Sequence, residues 1–301
     1  MLDRDVVVVG GGPAGLAAGL WLARYRKSVT VLDSGEYRNR WVEESHGYLG
    51  RDHANPMELL AAGRKDLLAY PTATLEQWRA LKAQPDGNGF QVITDAETLW
   101  ARRLVIATGV IDAFPDIGGF MEHYGTNAFH CPSCDGYESK DCQVVAYGWS
   151  EALAGFALTL LGWARSVTIV TDGRQFEGEQ RHREALGAHG VAVVEDVATH
   201  LEGKRGDLRA VRLRSGDRLP CERFFFSVEH RPGSDLPEQL GCERNDEECL
   251  VVDADALTSV PGVYAAGDVT PGFQLVQVAA AKGTNAGIAC AQSLAQTPEP
   301  A

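Results

Sequence analysis

The stretch Val6-Val7-Val8-Val9-Gly10-Gly11-Gly12-Pro13-Ala14-Gly15 decides the fold. Four β-branched residues in a row suit a strand buried on both faces, as in a parallel sheet. The run ends in glycines, after which Leu16, Ala17, Ala18, Leu20, Trp21 and Leu22 recur as a helix does. Gly10 allows a tight turn, Gly12 lets a pyrophosphate approach the backbone, and Gly15 allows close helix packing. Pro13 and Ala14 fall at the helix start, where the free N–H groups would meet the phosphates. A second strand, Ser28 to Leu32, ends at Asp33, about 20 residues on, where an acid can bind a ribose hydroxyl. Strand, helix and acid in place together make a ligand-free glycine turn the weaker reading.

The whole chain bounds what surrounds this unit. Its 301 residues suggest two domains, each large enough to bury a core. Its 33 glycines suit an α/β protein with many strand-to-helix turns. A net charge of −13 speaks against nucleic acid or an anionic membrane as partner. The start, Met1-Leu2-Asp3-Arg4-Asp5, runs straight into a strand without the features of a signal peptide, and no segment reaches a membrane span. A cytoplasmic protein is expected, with no nucleic-acid and no membrane partner.

Midway along lies His130-Cys131-Pro132-Ser133-Cys134-Asp135. Two cysteines at this spacing can close a small disulfide at a helix start, where the dipole lowers a thiol pKa. Half of a zinc site and two unrelated buried thiols are the other readings. A zinc knuckle needs a second ligand pair at short spacing, whereas Cys142, Cys221, Cys242, Cys249 and Cys290 are scattered singly. No metal site is expected.

A second strand–helix–strand unit follows: Gln143 to Tyr147, Glu151 to Leu161, and Ser166 to Val170. Aligned on the strand end, Gly-x-Gly-x-x-Ala becomes Ala146-Tyr147-Gly148-Trp149-Ser150-Glu151, so only the central glycine survives. Glu151 near a helix N-terminus competes with a diphosphate and repels it. Asp172 at the next strand end would repel a 2′-phosphate, although it could suit a free 2′-hydroxyl. NADPH is disfavoured, NADH stays open, and a scaffold without nucleotide is the leading reading. Further strands are expected at 190–194, 208–213 and 221–226, and the tail 296–301 is expected to fray.

Two more strand-to-turn stretches complete the pattern: Leu104 to Gly109, with its Ala107-Thr108-Gly109 turn, and Gly262 to Val269, containing Gly267-Asp268. With the first fingerprint, the Cys-x-x-Cys-Asp-Gly and the second βαβ, they run in an order that resembles the low-molecular-weight thioredoxin reductases, FAD-dependent pyridine nucleotide-disulfide oxidoreductases. The resemblance implies an α/β fold of two Rossmann-like dinucleotide-binding domains, the second inserted in the first. The expected boundaries are 1–114 and 246–301 for an FAD domain, and 115–245 for an NAD(P)H-binding-like domain carrying the cysteines. It further implies a homodimer, with FAD held by Gly10, Gly12, Pro13, Ala14, Gly15, Asp33, Ala107, Thr108, Gly109, Gly267 and Asp268. Near the terminus, where the family has an Arg-Gln pair, this chain has Gln274 and Leu275, followed at Val276 by a helix whose N-terminus could stabilise negative charge on the flavin, with a packing helix of no electronic role as the other reading.

By the same resemblance Cys131 and Cys134 pass electrons between FAD and an outside thiol or disulfide. Cys134 is then nearer the flavin, Cys131 more exposed, and Asp135 the proton carrier. The degraded second fingerprint, the His before the pair and Gly136-Tyr137-Glu138 after it are similar to the dithiol oxidases of the gliotoxin and holomycin pathways. Those relatives usually carry His where this chain keeps Asp135. The implied activity is oxidation of a small dithiol with oxygen as acceptor. The alternative is a disulfide reductase acting on a thioredoxin-like protein and driven by ferredoxin or NAD(P)H. A non-catalytic flavin redox sensor is the rival from another class. His46, in Ser45 to Arg51, is read as an exposed loop histidine, with a base as the alternative.

Overall fold

The computed structural model describes residues 2–227 and 229–296, so most of the tail expected to fray lies outside the described residues. The chain opens with β1 (Leu2–Val9), α1 (Pro13–Arg24), β2 (Val29–Leu32), α2 (Pro56–Leu68) and β3 (Ala73–Glu76). The meander β4 (Ala80–Asp86), β5 (Gly89–Thr94) and β6 (Thr98–Ile106) follows. These strands form one sheet in the order β3-β2-β1-β6-β5-β4. The four strands from β3 to β6 run parallel, and β5 and β4 extend them antiparallel. The valine run behaves as two buried faces require: Val6 and Val8 join one apolar cluster with Leu16 and Leu22 of α1, and Val7 and Val9 join another with Leu104 and Ile106.

After β7 (Val110–Asp112), α3 (Phe120–His123), β8 (Ala128–Phe129) and the one-turn α4 (Pro132–Asp135), the chain builds its second parallel sheet. This uses β9 (Gln143–Tyr147), α5 (Ala152–Leu160), β10 (Ser166–Val170), α6 (Gln180–Ala188) and β11 (Ala192–Val194). An antiparallel meander, β12 (Ala198–Lys204), β13 (Asp207–Leu213) and β14 (Arg218–Pro220), leads to β15 (Arg223–Phe226), giving the parallel order β11-β10-β9-β15-β8. Phe224 and Phe226 point to one core and Phe225 to the other, again a strand buried on both faces. Finally β16 (His230–Pro232), which pairs with β7, precedes α7 (Leu236–Leu240), β17 (Val263–Ala265) and α8 (Val276–Gln296), with β17 completing the first sheet beside β6.

The chain divides into two compact units: Met1–Arg40, Ala54–Ile111 and His230–Ala301 form one, and Trp41–His53 with Asp112–Glu229 the other. The return to the first unit thus falls at His230 rather than at 246. The reason is α7, where Gln239 Oε1 accepts the β4 amide of Ala83 at 3.0 Å and Leu236 and Leu240 join the first unit's core. Residues 41–53 belong with the second unit, because Trp41 packs on its core and a Cβ on Gly125 would lie 2.2 Å from the Trp41 carbonyl. Among the described residues no helix is long and apolar enough to cross a membrane.

Helix α8 packs along α1 with backbone-level closeness: a Cβ on Gly283 would sit 2.0 Å from the Ala14 carbonyl oxygen, and one on Gly287 2.6 Å from that of Ala18. Alanine gains about 1 kcal/mol over glycine in a helix interior, but overlap with a backbone atom costs about 1–3 kcal/mol. Gly283→Ala should therefore lower the denaturant midpoint. Gly155→Ala in α5, where an added Cβ meets nothing within 4 Å, should leave it unchanged or raise it. Equal effects at both positions would show that packing is not what fixes Gly283.

Candidate active site

The first glycine turn separates fold requirements from ligand requirements. A Cβ on Gly10, at φ +117, would lie 2.2 Å from the Ala107 carbonyl, and one on Gly15 would lie 1.7 Å from the Gly10 carbonyl. Those two glycines are fixed by packing. Gly12, the N-cap of α1, has nothing within 4 Å of its missing Cβ and no side chain capping the helix. Open space beside the uncapped N–H groups of the helix start is what a pyrophosphate cradle needs. Pro13 occupies the first helical position, where its missing N–H costs nothing, and Ala14 is buried behind it.

Around this cradle the expected residues gather with partners that spacing could not show. Asp33 is buried at the end of β2, caps the Gly35 amide at 2.9 Å, accepts the Tyr37 hydroxyl at 2.5 Å, and pairs with Arg64 of α2 at 3.1 Å. Arg64 also donates to the Tyr37 hydroxyl. The acid expected to bind a ribose is therefore the buried half of an ion pair with the partly exposed Arg64. Thr108 Oγ1 is buried without a hydrogen-bond partner among the described residues, and so offers a polar atom to a ligand. Gly109 takes φ +63 beside it. Asp268, after Gly267 at φ +86, pairs with Arg38 Nη1 at 3.1 Å, and the same nitrogen donates to Gln274 Oε1 at 2.6 Å. Lys282 Nζ closes the turn by donating to the carbonyls of Gly267, Thr270 and Pro271. Leu275 and Val276, half-buried, lead into α8. Arg38, Arg64 and Lys282 were not anticipated, since no motif marks them and their partners are distant in sequence.

In the second unit the local sequence dictates the cysteine geometry. A residue before proline is pushed out of helical conformation, and Cys131 is extended at φ −122, ψ 103. Pro132 then starts α4, whose single turn brings Cys134 back over Cys131. Their Cα atoms are 5.2 Å apart and the sulfurs are joined as a disulfide, with the Cys134 amide donating to Cys131 Sγ at 3.1 Å. Both cysteines are half-buried. Gly136 follows because a Cβ there would meet the Pro132 carbonyl at 2.4 Å and the Trp163 ring at 2.6 Å.

Asp135 follows Cys134, and its carboxyl is raised from its ordinary 3.8 to about 7, first by burial and then by the charge of Glu138. Glu138 Oε1 lies 3.7 Å from His46 Nδ1. The His46 side chain is only 17% exposed, which corrects the reading of it as an exposed loop histidine. The physical reason is that 41–53 folds onto the unit carrying the cysteines. His130 is half-buried, with Nδ1 3.2 Å from the Tyr124 hydroxyl.

The second glycine turn has a different register from the one expected. Gly148 follows β9 directly at φ +147, and its amide bonds to Val170 O at the end of β10, just as Gly10 bonds to Leu32 O at the end of β2. It therefore stands in the place of the first glycine, not the central one. Its Cβ would lie 2.6 Å from the Ser227 carbonyl, so the fold alone requires it. In that register Ser150 stands where the first turn has Gly12, and Glu151 at the start of α5 pairs with His182 at 3.5 Å and Arg181 at 3.7 Å. The Arg174 guanidinium lies 3.7 Å over the Trp149 ring. Asp172 hydrogen-bonds the Tyr147 hydroxyl, which with burial pushes that hydroxyl's pKa up.

Comparison with known proteins agrees with this arrangement. Residues 4–283 match the model of the pyridine nucleotide-disulphide oxidoreductases. Thioredoxin reductase tcpT of Claviceps purpurea is 30% identical over 286 residues, covering 88% of this chain and 86% of its own. Thioredoxin reductase aclD of Aspergillus oryzae is 29% identical over 306 residues, covering 97% and 96%. The solved structure of HlmI superposes with a TM-score of 0.92 at 34% identity, covering 97% of this chain and 93% of that one. The family implies a bound flavin, which the open cradle at Gly12 and the unpartnered Thr108 hydroxyl fit. The chain belongs to the pyridine nucleotide-disulphide oxidoreductase family, as a thioredoxin reductase-like member with a disulfide at Cys131–Cys134.

Proposed function

We propose that this protein oxidises a small dithiol through its Cys131–Cys134 disulfide and FAD, with oxygen as the acceptor and no need for NADPH. One observation carries this reading: the second βαβ has an ion-paired Glu151 at its helix start, with Arg174 over the Trp149 ring and Asp172 bonded to the Tyr147 hydroxyl. Glu151 places negative charge at the helix start, where it would repel a diphosphate, and Arg174 is engaged over an aromatic ring. That leaves the cysteine pair as the entry for electrons. Gly10, Gly12, Pro13, Ala14, Gly15, Thr108 and Asp268 are the residues proposed to hold FAD. FAD held there would supply the two-electron chemistry that links the reduced pair to oxygen.

The protein's own part is thiol–disulfide exchange. A substrate thiolate attacks Cys131 Sγ, the Cys131–Cys134 bond breaks, and Cys134 leaves as a thiolate. The substrate's second thiol then attacks the mixed disulfide, releasing the substrate as a disulfide and Cys131 reduced. The net reaction converts dithiol and oxygen to disulfide and hydrogen peroxide. With a pKa of about 7, Asp135 exchanges a proton near neutrality, and here it accepts the proton lost by the attacking substrate thiol.

Oxygen consumption with a small dithiol and no nucleotide should give peroxide and disulfide in equal amounts. Cys134→Ser should abolish both; turnover surviving in that variant, or appearing only when NADPH is added, contradicts the reading.

The raised carboxyl gives a second prediction. Its protonated form is favoured in the fold, a stabilisation complete below its ordinary 3.8 and lost as pH rises through about 7. Asp135→Asn should therefore raise the thermal midpoint relative to the native chain at about pH 8 and not at about pH 4. The same variant should slow dithiol oxidation about 100-fold and remove the activity rise centred near 7. A pH profile unchanged in Asp135→Asn would remove Asp135 from the proton path.

A further inference from the structure

We propose that Glu44, His46 and His53 form a binding site for a divalent first-row cation, with zinc the best match to two imidazoles and a carboxylate. One ligand atom from each of the three lies within 4.8 Å of the others. Glu44 Oε2 is 3.1 Å from His53 Nδ1, and the two imidazoles meet edge-on with centroids 5.0 Å apart. Tetrahedral zinc, with ligands at about 2.0–2.2 Å, holds its ligand atoms roughly 3.3–3.6 Å apart. Small rotations of the exposed Glu44 and His53 side chains close that gap.

Exposed histidines beside carboxylates are often no more than solvated pairs, and three features separate this group from that case. His46 is mostly buried, and among the described residues neither its Nδ1 nor the buried Oε2 of Glu138 has a hydrogen-bond partner. An unsatisfied imidazole nitrogen and carboxylate oxygen at one place are costly unless something else meets them. Next, Asp52 Oδ2 lies 3.5 Å from His53 Nε2 and Glu138 Oε1 3.7 Å from His46 Nδ1, so three carboxylates surround two imidazoles. Carboxylates of this kind orient ligand histidines and raise their basicity. Finally, Asp52 Oδ1 accepts the amides of Gly47 at 2.8 Å and of His53 at 3.2 Å, which fixes the loop that carries all three ligands. Three protein ligands leave a fourth position for water.

The site does not depend on the flavin reaction, but the reduced cysteines are competing ligands for zinc. The test therefore uses the oxidised flavoprotein, titrated with zinc chloride by calorimetry and soaked with zinc for anomalous scattering at the zinc edge. We expect one zinc per chain on the 44–53 loop. Affinity should fall roughly tenfold or more in His46→Ala and His53→Ala, and stay unchanged in the Cys131→Ser/Cys134→Ser double variant. If His46→Ala fails to fold, exposed His53→Ala and Glu44→Gln decide the matter. Absence of binding, binding that survives in His53→Ala and Glu44→Gln, or binding lost in the double cysteine variant overturns the proposal.

Discussion

The structure depends on how closely backbone passes backbone at the carboxyl ends of the two central parallel strands. At the end of β1 the Ala107 carbonyl leaves no room for a Cβ on Gly10, and at the end of β9 the Ser227 carbonyl leaves none on Gly148. Both glycines take positive φ and donate their amide to the end of the neighbouring strand. This constraint belongs to the fold and holds whether or not a ligand is bound. A surviving glycine in a degraded fingerprint is therefore poor evidence for a nucleotide. The informative region is the helix start, which has an open Gly12 in one turn and carries the ion-paired Glu151 in the other.

The same logic explains what was legible in the sequence. The valine run of β1 and the phenylalanine run of β15 read correctly because a strand buried on both faces leaves a continuous apolar signature. The order of fingerprint, cysteine pair and terminal Gly-Asp was enough to anticipate the family. The register of the second turn was not legible, because it depends on which residue reaches the carbonyl of Val170. The ion pairs Asp33–Arg64 and Arg38–Asp268 were equally hidden, as they join residues 31 and 230 positions apart. The association of 41–53 with the second unit followed no local pattern, and it changed the reading of His46.

Around the cysteine pair, covalent and electrostatic effects reinforce one another. Proline sets the turn that joins the sulfurs, and the tight passage of Trp163 requires the glycine after Asp135. Burial and Glu138 hold the Asp135 proton near neutrality. Many titratable groups of this chain sit instead in exposed ion pairs, which contribute little to stability. The largely desolvated carboxyl next to the redox pair is thus a cost the fold carries at a place where proton exchange is chemically useful.

The most direct test of the account is anaerobic. The purified flavoprotein is mixed in turn with a small dithiol, NADPH and NADH while the oxidised flavin absorbance is followed. The account predicts that the dithiol bleaches the flavin, that neither nucleotide does, and that air restores the colour. Rapid bleaching by NADPH would contradict it, showing that the second turn binds nucleotide despite Glu151 and that electrons enter from that side.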